Sequence, residues 1–213
     1  MALREHVPDR RSCIPMRRSF LTSGRWLSAY RTRPLLVVLP KQMEQVTAIL
    51  AVCHRLRVPV VTRGGTGLSG GALPLEKGVL LVMARFKEIL YINPVGRRAR
   101  VQPGVRNLAI SRPLHRQDPD DEPHLSHKSP VPLAATWQKN AGGVHCLKYG
   151  LTVHNLLKIE VQTLDGEALT LGSDALDSPG FDLLALFTGS EGNARRDHRS
   201  GNCCRSCPWR GFC

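Results

Sequence analysis

Short apolar runs alternate with one amphipathic segment in the first half of the chain. Residues 33–40 form an apolar run with a proline near each end, which predicts a short strand. Residues 41–55 carry apolar side chains at helical spacing and predict a helix. Further strands are predicted at 58–61, 78–83 and 99–105, the last with a sharp turn at its end. The residues that should form the buried face of the helix are Val46, Ile49, Leu50 and Cys53.

The second of these strands ends in a glycine-rich loop, residues 63–71. Only glycine lets backbone N–H groups crowd against a ligand without a Cβ clash. A concave loop of such groups binds anions, so the pattern favours phosphate and above all the pyrophosphate of a dinucleotide. The alternative is a flexible turn between two strands. The residues assigned to phosphate binding are Arg63, Gly64, Gly65, Thr66, Gly67, Leu68, Ser69 and Gly70.

Two common phosphate-binding loops fit this sequence poorly. A Walker loop requires a lysine directly after its glycines, and the next lysine here is Lys77. Residues 65–70 do match Gly-x-Gly-x-x-Gly, but a Rossmann domain then requires a helix. Pro74 would disrupt the early turns of that helix, so a Rossmann fold is the weaker alternative.

A second group of motifs lies between residues 140 and 192. Asn-Ala-Gly-Gly at 140–143 is followed by Lys-Tyr-Gly at 148–150 and by Glu160-Val161. Asp165-Gly166 predicts a hairpin turn. Thr-Gly-Ser-Glu-Gly at 188–192 closes the block.

These ordered motifs and the glycine loop resemble the FAD-binding domains of the vanillyl-alcohol oxidase / p-cresol methylhydroxylase (PCMH) type. The motif sequences most resemble those of the group that contains the flavin subunits of bacterial glycolate oxidases and the D-lactate dehydrogenases. The resemblance implies an α+β domain over 31–192 with FAD between two lobes. The first lobe would span 31–110, and 140–192 would form part of the second. Further FAD-contacting residues implied by the resemblance are Pro103, Gly104, Asn140, Gly142, Gly143, Tyr149, Gly150, Glu160 and Val161.

The resemblance also implies an activity. Relatives oxidise a 2-hydroxy acid and pass a hydride equivalent to the flavin, and the intact enzyme would work with partner flavin and iron–sulfur subunits. A cytoplasmic location follows, with peripheral attachment to the inner membrane through those subunits. The substrate-side motifs of the family do not occur in this sequence. No catalytic residue is therefore assigned, and the chain by itself is expected to be inactive.

Three segments depart from the family pattern: the basic head at 1–30, the insert at 111–139 and the Cys-rich tail at 193–213. They show no helical or strand period and are expected to be irregular. The glycine loop is also one residue shorter than the family pattern. These departures favour the hypothesis of a truncated, partly frame-disrupted reading of a larger flavoprotein gene. A non-catalytic remnant that binds FAD weakly or not at all is the corresponding functional alternative.

Charge and cysteines add two further alternatives. The net charge of +13 suggests nucleic-acid binding as an alternative function. Only 5% of the residues are aromatic, however, which leaves few side chains for base stacking. Cys204, Cys207, Cys213 and His198 could supply four zinc ligands, but structural zinc sites usually pair two separated clusters, so no metal is expected. No apolar run approaches the length of a membrane span.

Overall fold

The computed structural model describes residues 13–15, 32–63, 74–93, 95–96, 98–106, 109–110, 133–142, 146–174, 180–191 and 203–210. The chain divides into two compact units. Unit 1 contains residues 1–85, 162–169 and 191–203, and unit 2 contains residues 86–161, 170–190 and 204–213. Predicted site residues outside the described ranges are Gly64, Gly65, Thr66, Gly67, Leu68, Ser69, Gly70 and Gly143.

Unit 1 is built on a four-stranded sheet with the order β1-β2-β4-β3. Strands β2, β4 and β3 run parallel, and β1 pairs antiparallel with β2. The parallel strands are rich in valine and leucine, and all four residues of β4 are buried, as expected for strands covered on both faces. The strands are β1 (Cys13–Pro15), β2 (Leu36–Val38), β3 (Val60–Arg63) and β4 (Val79–Val82).

The helix α1 (Met43–Arg55) connects β2 to β3. At its start, the Gln45 side-chain oxygen accepts the Lys41 N–H at 2.8 Å, which satisfies a donor just ahead of the first turn. At its end Arg57 adopts a φ of 54°, and Pro59 follows two residues later. The predicted buried face is confirmed, because Val46, Ile49, Leu50 and Cys53 are at most 1% exposed.

Unit 2 is built on a five-stranded sheet with the order β5-β6-β9-β7-β8. The strands are β5 (Ile89–Asn93), β6 (Arg98–Val101), β7 (Lys158–Gln162), β8 (Ala168–Gly172) and β9 (Cys203–Arg210). The helices are α2 (Leu133–Gln138), α3 (Cys146–Tyr149) and α4 (Leu183–Phe187), and a 3-10 turn spans Thr152–Asn155. The buried cluster of this unit consists of Ala99, Val101, Val105, Ile110, Trp137, Leu156, Ile159, Val161, Leu171 and Leu184.

Three segments expected to be irregular contain regular structure. Cys13–Pro15 and Cys203–Arg210 are strands, so the expectation is wrong for those parts of the head and tail. Backbone hydrogen bonding explains both strands, because a sheet edge accepts an extended segment whatever its side chains. The expectation is also wrong for the end of the insert, where α2 buries Trp137 in the core of unit 2. Residues 111–132 lie outside the described ranges.

The unit boundary differs from the lobes expected from sequence. The first lobe was expected to reach residue 110, whereas the first segment of unit 1 ends at Arg85. The physical reason is strand pairing: β5 pairs with β6, and β6 pairs with β9, which places all of 86–110 with unit 2. The strand β5 has no counterpart among the sequence predictions. Within the described ranges, no helix is long and apolar enough to cross a membrane.

Candidate functional site

The carboxyl ends of three parallel strands lie together in unit 1. In register, Val38 at the end of β2 is opposite Leu81, and Arg63 at the end of β3 is opposite Val82. The Met83 N–H donates to the Arg63 carbonyl at 2.8 Å, so the ladder continues to the last residue before the glycine loop. In open α/β sheets, ligands bind outside the carboxyl ends of the strands. The glycine loop therefore starts at the edge where such a sheet binds ligands.

A second contact fixes the same edge. Arg85 follows β4, and its Nη1 donates to the carbonyl of Leu39 at 3.2 Å, just beyond the end of β2. This bond ties the ends of two neighbouring strands together. The hydrogen bond therefore stabilises the sheet edge at which the glycine loop begins.

Arg63 contributes positive charge at this edge. Its side chain is half-buried, and burial lowers the pKa of its guanidinium from the ordinary value. Arginine nevertheless remains protonated in proteins. A partly desolvated cation at the start of the glycine loop favours an anionic ligand there. Arg63 is the residue of the predicted loop that the structure describes, and its position agrees with phosphate binding.

The predicted sharp turn at Pro103-Gly104 is present in unit 2. Both residues are buried, and the Gly104 N–H donates to the carbonyl of Phe86 at 2.8 Å. The Val105 N–H closes the turn onto the carbonyl of Gln102 at 3.1 Å. The backbone of this turn is therefore held by hydrogen bonds to Phe86 and Gln102, which flank β5 and β6 in sequence.

Two of the glycine motifs meet at one carbonyl group. The Trp137 carbonyl accepts the Asn140 N–H at 3.0 Å and the Gly189 N–H at 3.1 Å. Asn140 and Gly189 have φ angles of 47° and 80°. A Cβ on Gly189 would lie 3.1 Å from the Cβ of Asn140, so the two turns pack directly against each other. The described residues of the Asn-Ala-Gly-Gly and Thr-Gly-Ser-Glu-Gly motifs, separated in sequence, are thus joined at the Trp137 carbonyl.

Side-chain hydrogen bonds stabilise this junction. The buried indole Nε1 of Trp137 donates to the Thr188 hydroxyl at 3.0 Å, and that hydroxyl donates to the Leu184 carbonyl at 2.7 Å. On the other side, the Thr152 hydroxyl donates to the Ala141 carbonyl at 2.7 Å. The Asn140 side-chain oxygen accepts the N–H of Val153 at 3.0 Å. Residues 140–142 of this motif are therefore held by the Asn140 side chain and by backbone hydrogen bonds.

The Tyr149-Gly150 motif ends α3 next to a histidine. Gly150 has a φ of 77°, and its N–H donates to the carbonyl of Cys146 at 2.9 Å. A Cβ on Gly150 would lie 2.6 Å from His154 Nδ1. That Nδ1 accepts the N–H of Leu151 at 3.0 Å, so the neutral ring carries its proton on Nε2. Glycine is required at this position by both conformation and space.

Glycine at position 142 is explained in a similar way. A Cβ there would lie 3.1 Å from Leu151 Cδ2 and 3.3 Å from the Cβ of Cys146. The described glycines 142, 150 and 189 thus permit close packing between turns of unit 2. The sequence interpretation gave Gly142 and Gly150 a role at the cofactor, and their contacts give them a role in packing within unit 2.

The side chains of Glu160 and Val161 lie in different environments. Glu160 is half-buried and forms an ion pair with Arg100 of β6. Val161 is 1% exposed and belongs to the buried cluster of unit 2. Its side chain is therefore occupied by core packing.

Sequence reasoning missed the residues that hold these turns together. Trp137 lies in a segment without helical or strand periodicity, and a single tryptophan does not show from sequence that it is buried. Thr188 and Gly189 belong to a motif that was recognised but not assigned to the site. Among the described residues, no group of three or more His, Cys, Asp or Glu side chains is placed to hold a metal ion. The cysteines considered as zinc ligands have no described side chains.

Comparison with a family model identifies the matched region. Residues 34–172 match a model described as an FAD binding domain. This region contains the glycine loop, the Pro103-Gly104 turn and the Asn-Ala-Gly-Gly motif. It also spans residues 111–139, where the sequence pattern departs from the family.

Two proteins similar in sequence extend the comparison. The chain is 76% identical over 193 residues to glycolate oxidase subunit GlcD of Escherichia coli strain K12, a match that covers 90% of this chain and 39% of that protein. It is 35% identical over 158 residues to D-lactate dehydrogenase of Archaeoglobus fulgidus, covering 73% of this chain and 35% of that protein. The chain therefore spans about two fifths of the length of the curated relatives it matches.

The fold is similar to that of solved structures. Phl p 4.0202, a glucose dehydrogenase, superposes with a TM-score of 0.75 at 15% sequence identity, covering 99% of this chain and 43% of that chain. At this identity the likeness concerns the fold alone. It confirms the mixed α and β architecture expected from the sequence.

Proposed function

The chain belongs to the FAD binding domain family, and from this premise we propose that it is the FAD-binding portion of an oxidoreductase that oxidises a 2-hydroxy acid of the glycolate or D-lactate type. The observation that carries the proposal is the 76% identity with the glycolate oxidase subunit. The D-lactate dehydrogenase, at 35% identity, supports the same substrate class.

The glycine loop is proposed to hold the pyrophosphate of FAD. Backbone N–H groups of residues 63–70 would bind the phosphate oxygens, and the hydroxyls of Thr66 and Ser69 would add donors. Two features of unit 1 support this role. The loop begins at the carboxyl edge of a parallel sheet, and Arg63 supplies positive charge there. The residues present therefore fit an anionic dinucleotide.

Unit 2 is proposed to contribute backbone groups. The Pro103-Gly104 turn would approach the flavin through its backbone. Residues 140–143 and the turn at Tyr149-Gly150 would do the same. Their rigidity favours this role, because hydrogen bonds and close packing already fix the described turns before any ligand binds. The remaining proposed contacts are the Glu160 carboxylate and the backbone of Val161.

The chemistry would come from the cofactor. Bound FAD supplies a ring that accepts a hydride equivalent, and the protein binds and orients it. No catalytic residue is assigned in this chain. Substrate-side groups are proposed to belong to the part of the longer relatives that this sequence does not cover, since the match spans 39% of the glycolate oxidase subunit. The chain alone is expected to bind FAD without turning over substrate.

Partners are proposed from the same relative. Its name describes a subunit, which indicates assembly with other chains. We propose flavin and iron–sulfur subunits as the partners of the intact enzyme. A cytoplasmic location with peripheral attachment to the inner membrane through those subunits is part of the same proposal.

Anaerobic spectroscopy tests this function. The purified chain is mixed with FAD, separated from unbound cofactor and titrated with glycolate or D-lactate. We expect a bound-flavin spectrum that neither substrate bleaches, whereas the full-length E. coli relative should be bleached by glycolate. Bleaching of the flavin in the isolated chain would contradict the assignment of substrate-side groups elsewhere. A chain that retains no flavin would contradict the proposal as a whole.

A further inference from the structure

The 3-10 turn at Thr152–Asn155 connects two of the turns that are proposed to approach the flavin. The Thr152 hydroxyl donates to the Ala141 carbonyl at 2.7 Å. The Val153 N–H donates to the Asn140 side-chain oxygen at 3.0 Å. These contacts fix the 3-10 turn on the Asn-Ala-Gly-Gly motif, and its other end follows closely on the Tyr-Gly motif. The 3-10 turn can therefore hold the second motif in place relative to the first.

Two side chains of the 3-10 turn hold Leu151, the residue directly after the Tyr149-Gly150 motif. The Leu151 N–H donates to His154 Nδ1 at 3.0 Å, and Asn155 Nδ2 donates to the Leu151 carbonyl at 3.0 Å. The imidazole also lies against Gly150, where an added Cβ would be 2.6 Å from Nδ1. His154 thus holds the peptide group between Gly150 and Leu151 on the 3-10 turn.

The contact between His154 and Leu151 requires the neutral imidazole. Nδ1 accepts the Leu151 N–H through its lone pair, whereas a protonated imidazole carries a hydrogen on both nitrogens. Protonation therefore replaces the hydrogen bond with two opposed donors. Histidine is the side chain that normally changes charge between about pH 5 and 8. The other contacts of the 3-10 turn use hydroxyl, amide and backbone groups, which keep their charge over this range.

Other titratable groups lie on the elements next to this turn. Those with described side chains are Lys139 after α2, Cys146 and Lys148 on α3, and Glu191 beyond the turn at Gly189. All of them remain in a variant that changes only position 154. A comparison of variants at that position therefore separates the contribution of the imidazole from theirs.

We propose that His154 is a positioning residue for FAD, which holds the Tyr149-Gly150 turn in its binding conformation and releases it on protonation. This assignment rests on the proposed function, in which the turn approaches the flavin through its backbone. FAD affinity should then fall as the pH drops, through an effect on the turn rather than by contact of the imidazole with the cofactor. Asparagine is the matched replacement, because its Oδ1 is as many bonds from Cβ as Nδ1 is and does not titrate.

Calorimetric titrations of the full chain with FAD at pH 8 and pH 5 test this assignment. We expect the wild-type chain to bind FAD about fivefold more weakly at pH 5, the loss that corresponds to one hydrogen bond. His154→Asn should match the wild type at pH 8 and keep that affinity at pH 5. His154→Ala should bind about fivefold more weakly at both pH values. His54→Asn, which replaces an exposed histidine of α1 in unit 1, should keep the wild-type profile.

Urea denaturation without FAD gives a readout that is independent of the cofactor. The stability of the wild-type chain relative to His154→Asn should fall from pH 8 to pH 5, because only the wild type loses the hydrogen bond to Leu151. A wild-type chain that binds no FAD at pH 8 overturns the proposed function and this assignment with it. Equal pH profiles of FAD affinity for the wild type and His154→Asn overturn the assignment alone. A pH-dependent difference in stability without one in affinity also overturns it, because His154 would then have only a structural role.

Discussion

Replacing Gly150 by alanine tests whether the Tyr149-Gly150 turn is shaped by its contact with His154. Two costs combine at this position. A φ of 77° costs an alanine about 1–2 kcal/mol, of which roughly 0.4–1 kcal/mol is offset by the lower entropy of the unfolded chain. The new Cβ would also lie 2.6 Å from His154 Nδ1, so the ring must move and release the Leu151 N–H.

The loss of that hydrogen bond adds about 1 kcal/mol. The free energy of unfolding of Gly150→Ala should therefore fall by about 1.5–2 kcal/mol, as measured by urea denaturation. Gly180→Ala is the matched control. Gly180 has a similar φ of 86°, and no heavy atom of the described part of the chain would lie within 4 Å of its Cβ. Its cost should be limited to the conformational part, about 0.5–1 kcal/mol.

A second substitution separates the clash from the conformational strain. In the His154→Ala background the ring is absent, so Gly150→Ala should cost about as much as Gly180→Ala does. Equal costs for Gly150→Ala and Gly180→Ala in the otherwise unchanged chain would refute the reasoning. A cost at Gly150 that does not change when His154 is removed would refute it as well.

Three further predictions follow from other contacts. Trp137→Phe and Thr188→Val should each lower the free energy of unfolding by about 1–2 kcal/mol, and a double-mutant cycle should show coupling, because both remove the hydrogen bond between the indole and the hydroxyl. Thr188→Val also removes the hydrogen bond to the Leu184 carbonyl and should cost the more of the two. Burial raises the pKa of Cys53 to about 11. At pH 8 an alkylating reagent should therefore label the half-buried Cys146 before Cys53, as measured by mass spectrometry. The contribution of Cys53 to stability is present below its unfolded pKa of about 8.5 and is lost as the pH rises towards 11. Asp182→Ala should cost about 1 kcal/mol by removing the cap on the Ala185 N–H, whereas Asp182→Asn should stay close to wild type in the same urea assay.

The first half of the fold could be predicted well from the sequence. The helix α1 has a regular apolar period, and β4 is a continuous aliphatic run, so local pattern and tertiary burial agree. The glycine loop could be recognised from its composition, because glycine lets backbone N–H groups approach a ligand closely. Its carboxyl-edge position follows from the parallel order of β2, β4 and β3, which a single sequence does not reveal.

The second half was harder because its order depends on contacts distant in sequence. The strand β9 pairs through its backbone with β6, about a hundred positions earlier, and its own residues show no strand period. The helix α2 is six residues long, too short for helical periodicity to show. The sequence interpretation assigned the glycines at 142 and 150 to the cofactor site. Their neighbours, which explain the need for glycine, could be identified only from the structure.

The most direct test of cofactor binding by the glycine loop is to compare FAD binding by the purified chain and by its Gly67→Val variant. A β-branched residue would block backbone approach to the pyrophosphate and disfavour a positive φ, while circular dichroism should show unchanged secondary structure. We expect equimolar FAD binding by the wild-type chain in a calorimetric titration and loss of that binding in the variant. Equal FAD affinity for both chains, or none for a folded wild-type chain, would contradict the central claim that the glycine loop holds the cofactor.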